Sequence, residues 1–182
     1  MSQGRLVILS GPSGVGKDTV INAWQARNPD VARVVAYTTR TPRLGELDGM
    51  DYNFVSRELF HAKAADGDFL EFKEVHGNFY ATPLSDMDAM LEEGKIAILK
   101  IDVQGALTAM ELRSDALTVF LMPPSVEELE TRIRGRGTED DATIAKRLKN
   151  AHDEMSVRDR YQHIVVNQDV EDTVDILERL VL

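Results

Sequence analysis

Residues 11 to 17 read Gly-Pro-Ser-Gly-Val-Gly-Lys, the pattern G-x-x-x-x-G-K. Its flanks limit what it can be. A compact apolar run, Arg5–Leu9, leads into it. A helical pattern follows over Lys17–Asn28, with Val20, Ile21 and Trp24 on one face and Pro29 as its stop. Strand, glycine loop and helix is the setting in which backbone N–H groups curl around phosphate oxygens, with the helix N-terminus adding positive potential. The motif therefore predicts a buried strand of an α/β domain. It also nominates Gly11, Pro12, Ser13, Gly14, Val15, Gly16, Lys17, Asp18 and Thr19 as a nucleotide-phosphate segment. Lys17 is placed to reach the phosphate that moves. The position after the lysine usually carries a hydroxyl that ligates magnesium, but here it is Asp18, and Thr19 is one place out of register.

The rest of the chain alternates strand and helix in the same manner. Short strands are expected at Val34–Tyr37, Tyr52–Val55, Phe69–Val75 and Asn78–Ala81, and buried ones at Ile96–Asp102 and Leu117–Met122. A last strand is expected at Ile164–Asn167. Helices are expected at Leu84–Glu93, closed by Gly94, at Ser125–Arg134 with Ser125 and Glu128 as a capping box, and at Asp141–Val157. A final helix carries Val170, Val174, Leu177 and Val181 on one face. This alternation predicts a parallel sheet core with helices on both faces. Two segments fit the core poorly, 36–83 and 126–155, and both are read as excursions from the sheet edge where α/β proteins bind ligands. The core is then 1–35, 84–125 and 156–182, all within one domain of 182 residues.

Composition narrows the chemistry. There is no cysteine, which excludes disulfides, thiol nucleophiles and cysteine-held metals. Histidines 61, 76, 152 and 163 show no metal-ligand spacing, so no metal held by protein alone is expected. The net charge is -10, which speaks against nucleic acid as a partner. No apolar run is long enough for a membrane span, and the N-terminal residues lack a secretory pattern, so a cytoplasmic protein is expected.

Against that acidic background the arginines are clustered. Thr38-Thr39-Arg40-Thr41-Pro42-Arg43 sets two of them three apart on a loop stiffened by proline, an arrangement that can clamp a phosphate through forked hydrogen bonds. Tyr52 and Tyr80 can add phenolic donors to the same anion. Arg132, Arg134 and Arg136 form a second group, with Arg147 one helix further on.

GPSGVGK, TTRTPR, G-x-D-Y-N-F-V (Gly49 to Val55), Glu71 with Tyr80 and Thr82, I-D-V-Q-G (Ile101 to Gly105), P-P-S (Pro123 to Ser125) and G-R-G-T (Gly135 to Thr138) occur in that order. Together they resemble the guanylate kinase family, over essentially the whole chain. The resemblance implies a P-loop nucleoside monophosphate kinase fold, with 36–83 as the GMP-binding segment and 126–155 as a lid. It implies ATP-dependent phosphorylation of GMP, and we expect dGMP to serve too, since no motif reads the 2′-hydroxyl. It matches Arg40, Arg43, Tyr52 and Tyr80 to the GMP phosphate. It matches Glu71 to the guanine, Thr82 to the hydroxyl near guanine O6, and Asp102 to the guanine site. It matches Lys17, Arg40, Arg132, Arg136 and Arg147 to catalysis, and Asn167 to the adenine of ATP. Magnesium is expected with ATP, near Asp18. The chemistry agrees with the base assignment. Guanine offers N1–H and N2–H₂ side by side to one carboxylate, whereas adenine would leave that carboxylate unpaired.

The chain departs from the family pattern at Ala36, where serine is usual, at Ala81, where glycine is usual, and at Lys100, where an acid is usual. Asp18 and Lys100 are both unusual, and the fold would make them neighbours. They are expected to be an exchanged pair that keeps local charge constant. Two alternatives stay open. One is a related kinase acting on a sugar phosphate such as ribose 1,5-bisphosphate, which would have no use for Glu71 and Thr82. The other is a non-catalytic binding module, which would not need an intact Lys17 and arginine lid.

Overall fold

The computed structural model describes residues 3–135, 137 and 139–182. The chain runs β1 (Arg5–Ser10), α1 (Lys17–Arg27), β2 (Val31–Arg33), β3 (Tyr37–Thr38), β4 (Asn53–Phe54), α2 (Arg57–Ala65), β5 (Phe69–Val75) and β6 (Asn78–Pro83). It continues α3 (Leu84–Glu92), β7 (Ile96–Lys100), α4 (Val103–Leu112), β8 (Leu117–Met122), α5 (Val126–Arg134), α6 (Asp141–Met155), β9 (His163–Val166) and α7 (Val170–Val181).

Five strands form a parallel sheet in the order β2-β7-β1-β8-β9, with the strand that feeds the glycine loop at its centre. Because successive side chains on a strand face opposite ways, the central strands must be apolar at every position. Leu6 and Ile8 pack under α3, α4, α5 and α6, against Met87, Ala106, Leu129 and Ile144. Val7 and Leu9 pack under α1 and α7, against Trp24, Val174 and Leu177. A second, four-stranded sheet, β4-β3-β6-β5, forms within residues 36–83. Among the described residues no helix is long and apolar enough to cross a membrane.

Several expectations are corrected. The run Val34–Tyr37 is not one strand. The edge of the main sheet lies earlier, pairing Val31 with Ile96 and Arg33 with Ile98, and the Val34 N–H closes this edge on the Ile98 carbonyl at 2.9 Å. The chain then crosses to the second sheet, where Tyr37 pairs with Ala81. The strand expected over Ile96–Asp102 stops at Lys100, because Asp102 caps a helix that the sequence reading lacks: its carboxylate accepts the Gly105 N–H at 3.0 Å. A second unexpected helix is α2, capped by Ser56. Strand Tyr52–Val55 shortens to two residues, Asn78–Ala81 extends to Pro83, and the last strand starts and ends one residue earlier than expected. Ser125 does cap α5, accepting the Glu128 N–H at 3.0 Å. The reciprocal half of the capping box is replaced, since the Glu128 carboxylate takes Arg132 at 3.2 Å.

Candidate active site

The loop after β1 ends at Gly16, whose φ of 97° lies in the left-handed region. A Cβ there would stand 2.9 Å from the Asn167 amide nitrogen, so both the turn and the close approach require glycine. Lys17 follows as the first residue of α1. Its ammonium is turned back on its own loop, donating to the Gly11 carbonyl at 2.6 Å and the Pro12 carbonyl at 3.3 Å. Burial lowers its pKa to about 8, with Glu154 pulling the other way. Ser13 and Thr19 line the same cleft.

Asn167 anchors this loop from behind. Its amide donates to the Val15 carbonyl at 2.8 Å and its side-chain oxygen accepts the Thr173 hydroxyl at 3.0 Å. It is 4% exposed, so the side chain matched to adenine is spent inside the protein and faces the loop.

The other end of the cleft is built on the second sheet. Glu71 on β5 pairs in register with Thr82 on β6, whose hydroxyl donates to it at 2.8 Å. Glu71 is 6% exposed, and burial raises its pKa from 4.5 to about 7, with Asp102 adding to the rise. Gly105, in the first turn of α4, makes room for it, since a Cβ there would lie 2.9 Å from the Glu71 Oε2. The backbone of D-V-Q-G thus presses against the carboxylate.

Between these ends, Tyr52 and Tyr80 stand edge to face with ring centroids 5.9 Å apart. The Arg40 guanidinium lies 5.3 Å from the Tyr52 centroid and is gripped by both oxygens of Glu46, each at 3.0 Å. Arg43 joins this cluster only through its backbone N–H, which donates to Glu46 at 2.9 Å, and its side chain is exposed. Glu46, absent from the sequence reading, is therefore what orients Arg40.

Asp18 and Lys100 are brought together, with the ammonium donating to Asp18 Oδ1 at 2.8 Å. The sequence reading missed the third member, Arg33, which reaches the same oxygen at 3.0 Å. Burial pushes the Asp18 carboxyl up, but Lys100 and Arg33 outweigh it and hold the group below the usual carboxylate range. Ala36 and Ala81 also line the cleft, offering no hydrogen bond from their side chains.

Helices α5 and α6, in the segment expected to be a lid, lie against the glycine loop. Arg132 donates to the Val15 carbonyl at 3.2 Å and to the Asn167 carbonyl at 3.0 Å. Arg147 donates to the Ser13 hydroxyl at 2.9 Å and pairs with Glu139 at 2.7 Å. Arg134 turns away, to Glu130 and Asp141, and Arg136 lies outside the described residues. Two turns along α6 from Arg147, Glu154 enters the cleft. Burial raises its carboxyl above the usual range, and the Lys17 charge opposes the rise. No motif announces it; only the shared helix face with Arg147 could have.

One cleft of about 310 Å³ contains Lys17, Asp18, Tyr52, Glu71, Lys100 and Glu154 in its walls. Its two ends differ in chemistry, with the glycine loop and Lys17 at one and the Glu71 carboxylate of the second sheet at the other. Among the described residues no group of three or more His, Cys, Asp or Glu gathers to hold a metal.

The whole chain was compared with known proteins. The family model described as guanylate kinase matches residues 3–182. A guanylate kinase of Clostridium perfringens is 44% identical over 181 residues, covering 100% of this chain and 84% of that protein. One from Synechococcus elongatus is 44% identical over 178 residues, covering 98% and 97%. The crystal structure of guanylate kinase from Anaplasma phagocytophilum superposes with a TM-score of 0.81 at 37% identity, covering 98% of this chain and 85% of that one. The architecture is thus the P-loop nucleoside monophosphate kinase fold. Likeness of this extent is not confined to the glycine loop, which many folds share, but runs through both sheets and helices α5 and α6: the chain belongs to the guanylate kinase family.

Proposed function

We propose that the chain transfers the γ-phosphoryl group of ATP to GMP, giving ADP and GDP, and that dGMP is a second acceptor. The observation that carries this reading is the buried Glu71–Thr82 pair at the far end of the cleft from Lys17. An ionised carboxylate sealed from water is costly unless a ligand supplies donors, and the guanine edge supplies two.

The assignments follow from that polarity. Residues Gly11 to Thr19 hold the ATP phosphates. Arg40, Arg43, Tyr52 and Tyr80 hold the acceptor phosphate, Glu71 and Thr82 hold the base, and Asp102 supports it as the cap of α4. A phosphate oxygen of GMP attacks the γ-phosphorus in line, and the bond to the β–γ bridging oxygen breaks, leaving ADP. The acceptor phosphate is largely dianionic at neutral pH, so no general base is required. Positioning and charge neutralisation carry the rate. Lys17, Arg40, Arg132 and Arg147 supply that charge, with Arg136 assigned to the same role from the sequence. ATP-using kinases generally act with a divalent metal, which we take to be magnesium entering with ATP and offsetting phosphate charge. Asp18 Oδ2 fits it, because both Lys100 and Arg33 sit on Oδ1. The cytoplasm, where both substrates are available, is the proposed location.

A coupled ADP-release assay with Mg-ATP tests the reading against GMP, dGMP, AMP, UMP, CMP and ribose 1,5-bisphosphate. Turnover confined to GMP and dGMP is expected, and Lys17→Ala should abolish it. Turnover with the sugar phosphate alone, or with no acceptor at all, would overturn it.

A further inference from the structure

Besides Lys17 the cleft is lined by Lys73 and Lys100, to which the roles above give no task, and Lys100 is the one beside the glycine loop. Lys100 ends β7 opposite Leu9 of β1, so it stands where the central strand opens into the glycine loop. Its side chain is 14% exposed and lines the same cleft as Lys17 and Tyr52. The ammonium lies 5.6 Å from the Tyr52 ring centroid, and Arg40 lies 5.3 Å from the same ring. Lys100 therefore borders the position assigned to the acceptor phosphate, close to the loop that holds the donor.

We propose that Lys100 is a catalytic residue: its ammonium bonds the phosphate of the acceptor nucleotide as that phosphate attacks, and Asp18 with Arg33 holds the ammonium in place until the phosphate arrives. This rests on the reading of the second sheet as the acceptor site.

Three features of the cluster carry it. First, an ammonium has three donors, and among the described residues Lys100 uses one, on Asp18. Second, Asp18 does not depend on Lys100. Arg33 reaches the same oxygen at 3.0 Å and is itself fixed through its other terminal nitrogen on the Asp51 carbonyl at 3.0 Å. A half-buried lysine paired with one carboxylate would strand that carboxylate on turning away. Here a carboxylate shared by two cations lets one leave while the other stays. Third, Lys100 and Lys17 line one cleft and are near enough for their charges to oppose each other. An anion between them removes that repulsion, and a dianionic phosphate does so best. A lysine with a purely structural role would pair away from the reacting groups.

The test separates contact with phosphate from pairing with Asp18. GMP and guanosine binding are measured by calorimetry without ATP or metal, and turnover is measured with Mg-ATP. Lys100→Met keeps Asp18 on Arg33. It is expected to weaken GMP about 10-fold, leave guanosine binding unchanged, and lower kcat about 100-fold at an unaltered ATP KM. Lys100→Arg should recover most of the GMP affinity. The double reversal D18K/K100D can re-form the ion pair, and in the metal-free calorimetry, where the role proposed for Asp18 toward magnesium plays no part, we expect it to bind GMP no better than Lys100→Met. Thermal melts report folding of each variant, and should Lys100→Met not fold, Lys100→Arg and the reversal carry the test alone. Unchanged GMP binding and turnover in Lys100→Met, or GMP affinity restored by the reversal, would overturn the proposal. A parent protein that binds guanosine but does not phosphorylate GMP would instead overturn the acceptor reading, so the two failures are distinguishable.

Discussion

In the proposed reading, a single carboxyl group sets the base preference of the acceptor end of the cleft. Burial raises the Glu71 pKa from 4.5 to about 7. Between those values the folded chain keeps a proton that the unfolded chain has lost. The stability associated with this group is therefore full below about pH 4.5 and falls as pH rises through about 7, by about 3 kcal/mol at most. Glu71→Gln keeps the Thr82 hydrogen bond and removes the ionisation. In thermal melts its advantage over the parent should be small near pH 4.5, grow to several degrees by pH 7, and stay level above that. The same substitution should weaken guanosine and GMP binding by 100-fold or more while leaving ATP binding within about twofold. A melting difference independent of pH would show that Glu71 is not ionising in a buried site. Residues placed by a local pattern, such as Lys17 at the end of its glycine loop, were legible in the sequence. Glu46, Arg33 and Glu154 were not. Each acts through a partner on another turn or element, and nothing beside it in the sequence marks the pairing.

At the scale of elements, the glycine loop and α5 are held in register from the end of β9. Asn167 follows that strand and bonds the Val15 carbonyl, Thr173 of α7, the Met122 carbonyl and, through its own carbonyl, Arg132 of α5. Asn167→Ala removes only the side-chain half of this. Val15 retains Arg132 at 3.2 Å and Thr173 retains the Asp169 carbonyl at 2.8 Å, so neither partner is stranded. A loss of about 1–2 kcal/mol is expected in urea unfolding. With the loop less firmly backed, the ATP KM should rise about 10-fold while GMP affinity is kept. Equal losses for both nucleotides would assign Asn167 to the fold at large. The elements that sequence reading found and missed divide for a physical reason. β1, β7 and β8 are buried on both faces, which writes continuous apolar runs. By contrast, α2 buries only Phe60, so it has no periodicity to detect, and its one signal is the Ser56 cap. α4 packs on Gly105, Ala106 and Ala109, small residues that close packing favours and hydropathy patterns overlook. Strands β3 and β4, two residues each, exist only because the second sheet gives them partners.

Over the whole molecule, charge is divided by sign and by place. The chain carries a net charge of -10, yet Lys17, Lys100, Arg33, Arg40, Arg132 and Arg147 surround one cleft or the loop beside it. The acidic excess is spread over the remaining surface, where it repels itself and opposes the compact state. Salt acts on these two parts in opposite directions. From 0.1 M to 0.5 M NaCl the Debye length shrinks from about 10 Å to about 4 Å, which removes most repulsion between separated surface carboxylates. Exposed ion pairs such as Lys63–Asp68 are weakened by the same screening, but each is worth about 1 kcal/mol or less. The net repulsion is therefore the larger quantity, and the empty protein should melt a few degrees higher at 0.5 M. In the proposed reading the ligand phosphate sits directly against the cations of the cleft, where added salt competes for them, so GMP affinity should fall severalfold over the same range while guanosine affinity holds. Both are measured on one preparation at fixed pH, by melting curves and by calorimetry. A melting temperature that falls with salt would mean that specific ion pairs outweigh the net charge. A GMP affinity that does not respond to salt would mean that the cleft holds its phosphate through neutral donors, leaving its lysines and arginines without an anion to bind.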